Sequence, residues 1–138
     1  MLFLGLDRQH GEPMETKSLF QRLGGSNGIR AIVDDIVTAH MENPLIRARF
    51  LPVRDTPERL GVIKNHLCMF LEMGSGGPGQ YGGRNMRDAH KGMNVSGTEY
   101  MAAIDDILMV LKKHSIDAQT QSDVLAIAYS LKGDIMHV

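Results

Sequence analysis

The residues of this sequence that could do chemistry are six histidines, one cysteine and two adjacent pairs of aspartates. His90 stands out among them. It follows a glycine-rich stretch, GGPGQYGGRNMRDAHKGMNV at 76–95, with Met86 one turn before it and Met93 just after. Neutral imidazole in so soft and apolar a setting is a good axial ligand for haem iron. An acceptor on its other ring nitrogen would fix the tautomer, and a nearby backbone carbonyl would serve. From position alone, however, a surface histidine in a loop is the simpler reading. His66 and His40 lie on or beside apolar helical stripes, where a lone histidine is usually a satisfied core residue. His10, His114 and His137 fall in a tail, a turn and a terminus and are expected to be solvated.

Other chemistries find less support. No two histidines have the close spacing of a zinc site, and Cys68 has no partner cysteine, which argues against a non-haem structural metal. GSGGPG at 74–79 formally matches the dinucleotide fingerprint, but it follows a helical pattern rather than a strand, and Pro78 removes an amide that would cradle phosphate. Asp34-Asp35 and Asp105-Asp106 are neighbours on helices, so their side chains diverge by about 100° and read as solvated faces rather than acid/base pairs. The ten methionines fall mostly on helical stripes, where core filling is the expected role.

The elements that must position these groups are helices. LFQRL at 19–23 predicts a short helical turn, broken by GGSNG at 24–28. Ser26 is the expected cap of the next helix, whose stripe is Ile29, Ile32, Val33, Ile36, Val37 and His40. Asn43-Pro44 ends it, since proline pushes the preceding residue out of the helical region. A brief segment from Leu45 to Phe50 follows, closed by Pro52. Thr56-Pro57 predicts a helix start with a capping hydroxyl, and Leu60, Ile63, Leu67, Phe70 and Leu71 recur at helical spacing, with His66 at the edge of their stripe. After a glycine-rich loop from Gly74 to about Gly83, residues 85–91 allow only a short helix that tertiary structure must hold. Ser96-Gly97-Thr98-Glu99 reads as a capping box opening a helix with Tyr100, Ile104, Ile107, Leu108 and Leu111 on one face. Asp117 can cap a last helix bearing Val124, Ile127, Ala128, Leu131 and Ile135. No window alternates with period two, so the expected class is all-α, with four substantial helices.

Length and composition agree with one globular domain. The chain has 138 residues, 43% hydrophobic and 22% charged. A net charge of −1 gives no electrostatic support for a nucleic-acid partner, and no run approaches a membrane span. A single cysteine suits a reducing, cytoplasmic setting. Residues 1–16 meet Asp7 and Arg8 too early for a signal-peptide core and read as a mobile or loosely docked extension to a domain at 17–138.

Taken together, LFQRLGG at 19–25, the Asn43-Pro44 break, GGPGQYGGRNMRDAHKGM at 76–93 and the two final helices resemble the truncated haemoglobins, most closely group I. The match covers about residues 17–136. It implies a two-over-two helical sandwich, a shortened globin fold, around one haem b. No CxxCH motif is present for covalent attachment of the c type. The resemblance carries the proximal-ligand role onto His90, an aromatic haem contact onto Phe70 and a proximal-side contact onto Met86. Tyr81 and Arg84 belong to the same matched motif. It also makes Ile36, Val37, Ile63 and Leu67 the expected apolar lining of the haem.

Two departures bear on function. The family usually has Phe-Tyr where this chain has Ile36-Val37, which removes the hydroxyl that donates to bound gas. Leu67 stands where a glutamine often supports it. His66 falls where some cyanobacterial members carry a histidine as sixth iron ligand, so it is expected either to coordinate the iron or to donate to bound ligand. His40 is a weaker distal candidate. The resemblance implies reversible binding of dioxygen, carbon monoxide and nitric oxide. Alternatives are a redox enzyme, such as a nitric oxide dioxygenase or nitrite reductase served by an external reductase, and a bis-histidyl electron-transfer or sensor protein. Without the resemblance, the reading is a small helical interaction domain.

Overall fold

The computed structural model describes residues 17–138. The expected N-terminal extension at 1–16, and His10 with it, lie outside the described residues. The elements in order are α1 (Leu19–Arg22), α2 (Gly25–Glu42), a 3-10 turn (Arg47–Phe50), α3 (Leu51–Arg54), α4 (Pro57–Gly74), α5 (Met86–His90), α6 (Gly97–Lys113) and α7 (Ala118–Ile135). The architecture is all-α. Helix α2 packs against both α4 and α6, α6 packs against α7, and the short α5 leans on α7. This is the two-over-two arrangement.

The stripe of α2 forms the centre of the core. Ile29, Ile32, Val33, Ile36 and Val37 are buried together with Cys68 of α4 and with Val110 and Leu111 of α6. A second, smaller cluster of Val95, Tyr100 and Ile104 sits at the other end of α6, with Met93 and Met136 against it. Methionine contributes less core than its stripes suggest. Met41 and Met69 pack on the main cluster, but Met73, Met101 and Met109 stand exposed.

Several helix boundaries follow from local chemistry. The Ser96–Glu99 capping box is formed in both directions, Asp117 caps α7 through the Thr120 amide, and Asn43 leaves the helical region before Pro44. Three expectations are corrected. Ser26 does not cap α2: Gly24, at φ +95°, turns the chain within one residue, so the helix starts at Gly25 and the Ser26 hydroxyl donates to buried Glu72 of α4 instead. Pro52 does not close a segment but sits in the first turn of α3, where a missing amide costs nothing. Pro57 does open α4, but the Thr56 hydroxyl makes no capping bond.

The glycine-rich loop between α4 and α5 is held close. The Phe20 amide donates to the Ser75 carbonyl, and a Cβ on Gly77 would fall 2.3 Å from the Phe20 ring. Only glycine lets the loop pass α1 so near. Among the described residues no helix is long and apolar enough to cross a membrane.

Candidate functional site

Helix α5 spans five residues, too few to persist by backbone hydrogen bonds alone. Four tethers hold it. Asn85 caps its start, the side chain accepting from the Asp88 amide at 2.8 Å. Upstream, the Tyr81 ring lies over Gly83, and its hydroxyl donates to the Arg84 carbonyl, next to that cap. Downstream, Gly92 at φ +88° reverses the chain. The amides of Gly92 and Asn94 then donate to the Val138 oxygen at 3.1 and 3.0 Å, and the His137 amide donates to the Val95 carbonyl at 3.0 Å. Finally, Arg49 donates to the Met93 carbonyl at 2.8 Å and pairs through two nitrogens with Glu99, at 2.7 and 2.9 Å. The Arg49 guanidinium, with the Ser96 amide, holds the Glu99 carboxyl down to about 2.

His90, the last residue of α5, is half-buried, and its Nδ1 lies 2.8 Å from the Met86 carbonyl. A carbonyl only accepts, so Nδ1 carries the proton and Nε2 keeps a free lone pair. No hydrogen bond from the described residues engages Nε2. That is the state in which imidazole binds iron.

Ile63, Leu67 and Phe70 fall at i, i+4 and i+7 on one face of α4, and all three are half-buried, as is Met86. Cys68 and Glu72 are the buried residues of that helix, and burial pushes the Cys68 thiol up. Ile36 and Val37 lie deeper: Val37 is fully enclosed, within the core against which Leu67 packs. His66 is exposed, and its ring meets Tyr81 edge-on at 5.8 Å between centroids. Arg84 is exposed.

Two other histidines, His40 and His114, find partners that the sequence did not announce. His40 is not held by a backbone group: its Nδ1 lies 2.8 Å from Asp106 Oδ2, and the Asn43 amide donates to both Asp106 oxygens at 3.1 Å. Asp106 is therefore buried rather than part of a solvated face. His114 is likewise paired, 2.7 Å from Asp35, and that hydrogen bond lowers the Asp35 carboxyl below its usual range. Sequence reasoning also missed Arg49, Glu72 and Asp106. Their contacts join distant segments, and no local pattern marks them.

A two-over-two sandwich, with a short helix carrying an imidazole whose Nε2 no described residue engages, has the fold of a truncated globin. The family model of the bacterial-like globins matches residues 18–137, and the chain belongs to that family. Its relatives include the group 1 truncated haemoglobin GlbN of Synechocystis, 28% identical over 80% of this chain and 89% of that one. The group 1 truncated haemoglobin of Tetrahymena pyriformis is 29% identical, over 70% and 76%. Among solved structures, the truncated haemoglobin from Tetrahymena pyriformis in its Fe(III) form superposes with a TM-score of 0.79 at 24% identity, covering 88% of this chain and all of that one. The 2/2 haemoglobin from Synechococcus, in the cyanomet state and with covalently attached haem, gives 0.75 at 20% identity, covering 87% and 98%. The resemblance read from the motifs thus stands: the chain is a bacterial-like globin with the truncated fold, similar to the truncated haemoglobins of group 1.

Proposed function

We propose that the protein holds one haem b, without covalent attachment, between α4 and α5, with Nε2 of His90 as the axial ligand, and that it reversibly binds dioxygen, carbon monoxide and nitric oxide. The Met86 carbonyl on Nδ1 of His90 carries this reading, because it fixes the tautomer and leaves one nitrogen available. The haem, when bound, supplies an iron that takes diatomic gases, and the rest is work for this chain's own side chains. Ile63, Leu67, Phe70 and Met86 exclude water from the ring faces. Ile36 and Val37 back that wall from the core and offer no donor. Arg84 and Tyr81 stand at the edge, where the exposed guanidinium is suited to the haem carboxylates.

His66 is the imidazole on this part of α4. It serves as a sixth ligand, which a gas must displace, or as a donor to bound gas, and in the second role it replaces the hydroxyl that Val37 lacks. A missing donor of this kind is worth ~1–3 kcal/mol in a dry pocket. The absence of hydroxyl or amide at Ile36, Val37 and Leu67 favours a second reading over storage: a redox role toward nitric oxide or other reactive nitrogen species, with an external reductase in the cytoplasm. Titration of the apoprotein with haem tests the first reading. One equivalent bound, with a spectrum of histidine-ligated iron and a ferrous form that takes carbon monoxide, is expected. An apoprotein that takes up no haem would overturn it.

A further inference from the structure

Tyr81 belongs to the loop, yet it is one of the most constrained side chains near the site. Its ring meets Phe70 at 5.5 Å with an interplanar angle of 85°, and His66 at 5.8 Å and 86°. Both are edge-to-face arrangements within the favoured range of separations. The ring cannot easily leave. Its hydroxyl is tied to the Arg84 carbonyl, and it lies so close to Gly83 that a Cβ there would fall 2.5 Å from the hydroxyl oxygen and 2.6 Å from the ring carbon bearing it. His66, by contrast, is exposed and makes no hydrogen bond with the described residues, so Tyr81 is the aromatic group that orients it.

We propose that Tyr81 is a positioning residue for His66: the ring, pinned over Gly83 and to Arg84, seats the imidazole at the edge of α4 and so competes with its binding to iron. This rests on the reading that haem is held by His90. Two states of His66 follow, one against Tyr81 and one on the iron. An edge-to-face pair of this kind shifts the balance between them by about two- to tenfold. Because the hydroxyl is tied next to Asn85, the cap of α5, the seat of the distal histidine is set by the same backbone that carries the proximal one.

The test compares dithionite-reduced, haem-loaded protein with Tyr81→Leu, Tyr81→Phe and the double variant Tyr81→Leu with His66→Ala, by visible spectrum and by the rate of carbon monoxide binding. Tyr81→Leu is expected to raise the ratio of six- to five-coordinate ferrous haem by about two- to tenfold and to slow carbon monoxide binding correspondingly. Tyr81→Phe keeps the ring, loses its tether and is expected to fall between. The double variant is expected to be five-coordinate. The same six-coordinate proportion in Tyr81→Leu as in the unaltered protein, whatever that proportion is, overturns the proposal. So does six-coordination that persists without His66. A chain that binds no haem in any form overturns the underlying reading, and this proposal with it.

Discussion

Nδ1 of His90 and the carbonyl of Met86, four residues earlier on the same short helix, are joined across 2.8 Å. The bond joins the first and last residues of a helix of only five. It uses the start of α5 as a fixed acceptor and turns the imidazole so that Nε2 is the free nitrogen. A helix too short to be stable is thereby made to hold a side chain at a set angle.

Replacing His90 by glycine is expected to lower haem affinity by more than about tenfold, since even outer-shell partners of metal ligands are worth that much. Added imidazole should restore the spectrum of a histidine-ligated haem. Haem content and a visible spectrum equal to those of the unaltered protein would show that another group binds the iron.

The cap of α5 offers a gentler test. Asn85→Ala removes the acceptor for the Asp88 amide and is expected to cost about 1 kcal/mol. Because the loss falls on the helix that carries His90, haem should also leave faster, measured by transfer to an acceptor globin. Lower stability with unchanged haem loss would separate the cap from the ligand.

The last residues matter for the same reason. Deleting residues 136–138 removes three backbone hydrogen bonds to the chain just after His90, each worth about 0.5–1.5 kcal/mol. The melting temperature of the apoprotein and haem retention are both expected to fall. A truncated protein with unchanged haem retention would show that Arg49 and Asn85 suffice to hold α5.

Arg49 and Glu99 give a pH dependence. Glu99 titrates at about 2 when folded, below the ordinary carboxylate value of about 4.5, so its contribution to stability is complete above about 4.5. It is lost as pH falls toward about 2. Urea midpoints of the unaltered protein and Glu99→Gln should therefore differ most near neutrality and converge through that window. A constant difference down to pH 3 would show that the pairing with Arg49 is not its cause.

Asp106 anchors His40 and Asn43, tying α2 and the turn after it to α6. Asp106→Ala is expected to destabilise by about 2–3 kcal/mol, as the half-buried His40 imidazole and Asn43 amide both lose their partner. Replacing both His40 and Asp106 by leucine should recover part of this, because the imidazole is then no longer stranded and only the Asn43 amide has lost its acceptor. Urea denaturation of the two variants and the unaltered protein measures it.

Local rules made much of this protein readable. The apolar stripe of α2, the Ser96–Glu99 box, the Asp117 cap and the Asn43-Pro44 stop each depend on residues within a turn or two, and each appears where its spacing predicts. The same rules failed at Ser26, where the left-handed Gly24 started the helix early, and at Thr56, whose hydroxyl makes no capping bond. Both are hydroxyls beside a helix start, and spacing alone does not say which oxygen the amides meet.

The sequence by itself determined the helices and the class of fold, because the interactions that set the helices close within a few residues. The tertiary structure decided the rest. Arg49 reaches Met93 and Glu99 across 44 and 50 residues, and His40 finds Asp106 across 66. Tyr81 meets His66 only because the loop folds back along α4. Contacts between distant segments leave no period in the chain, since what brings their partners together is the packing of the helices.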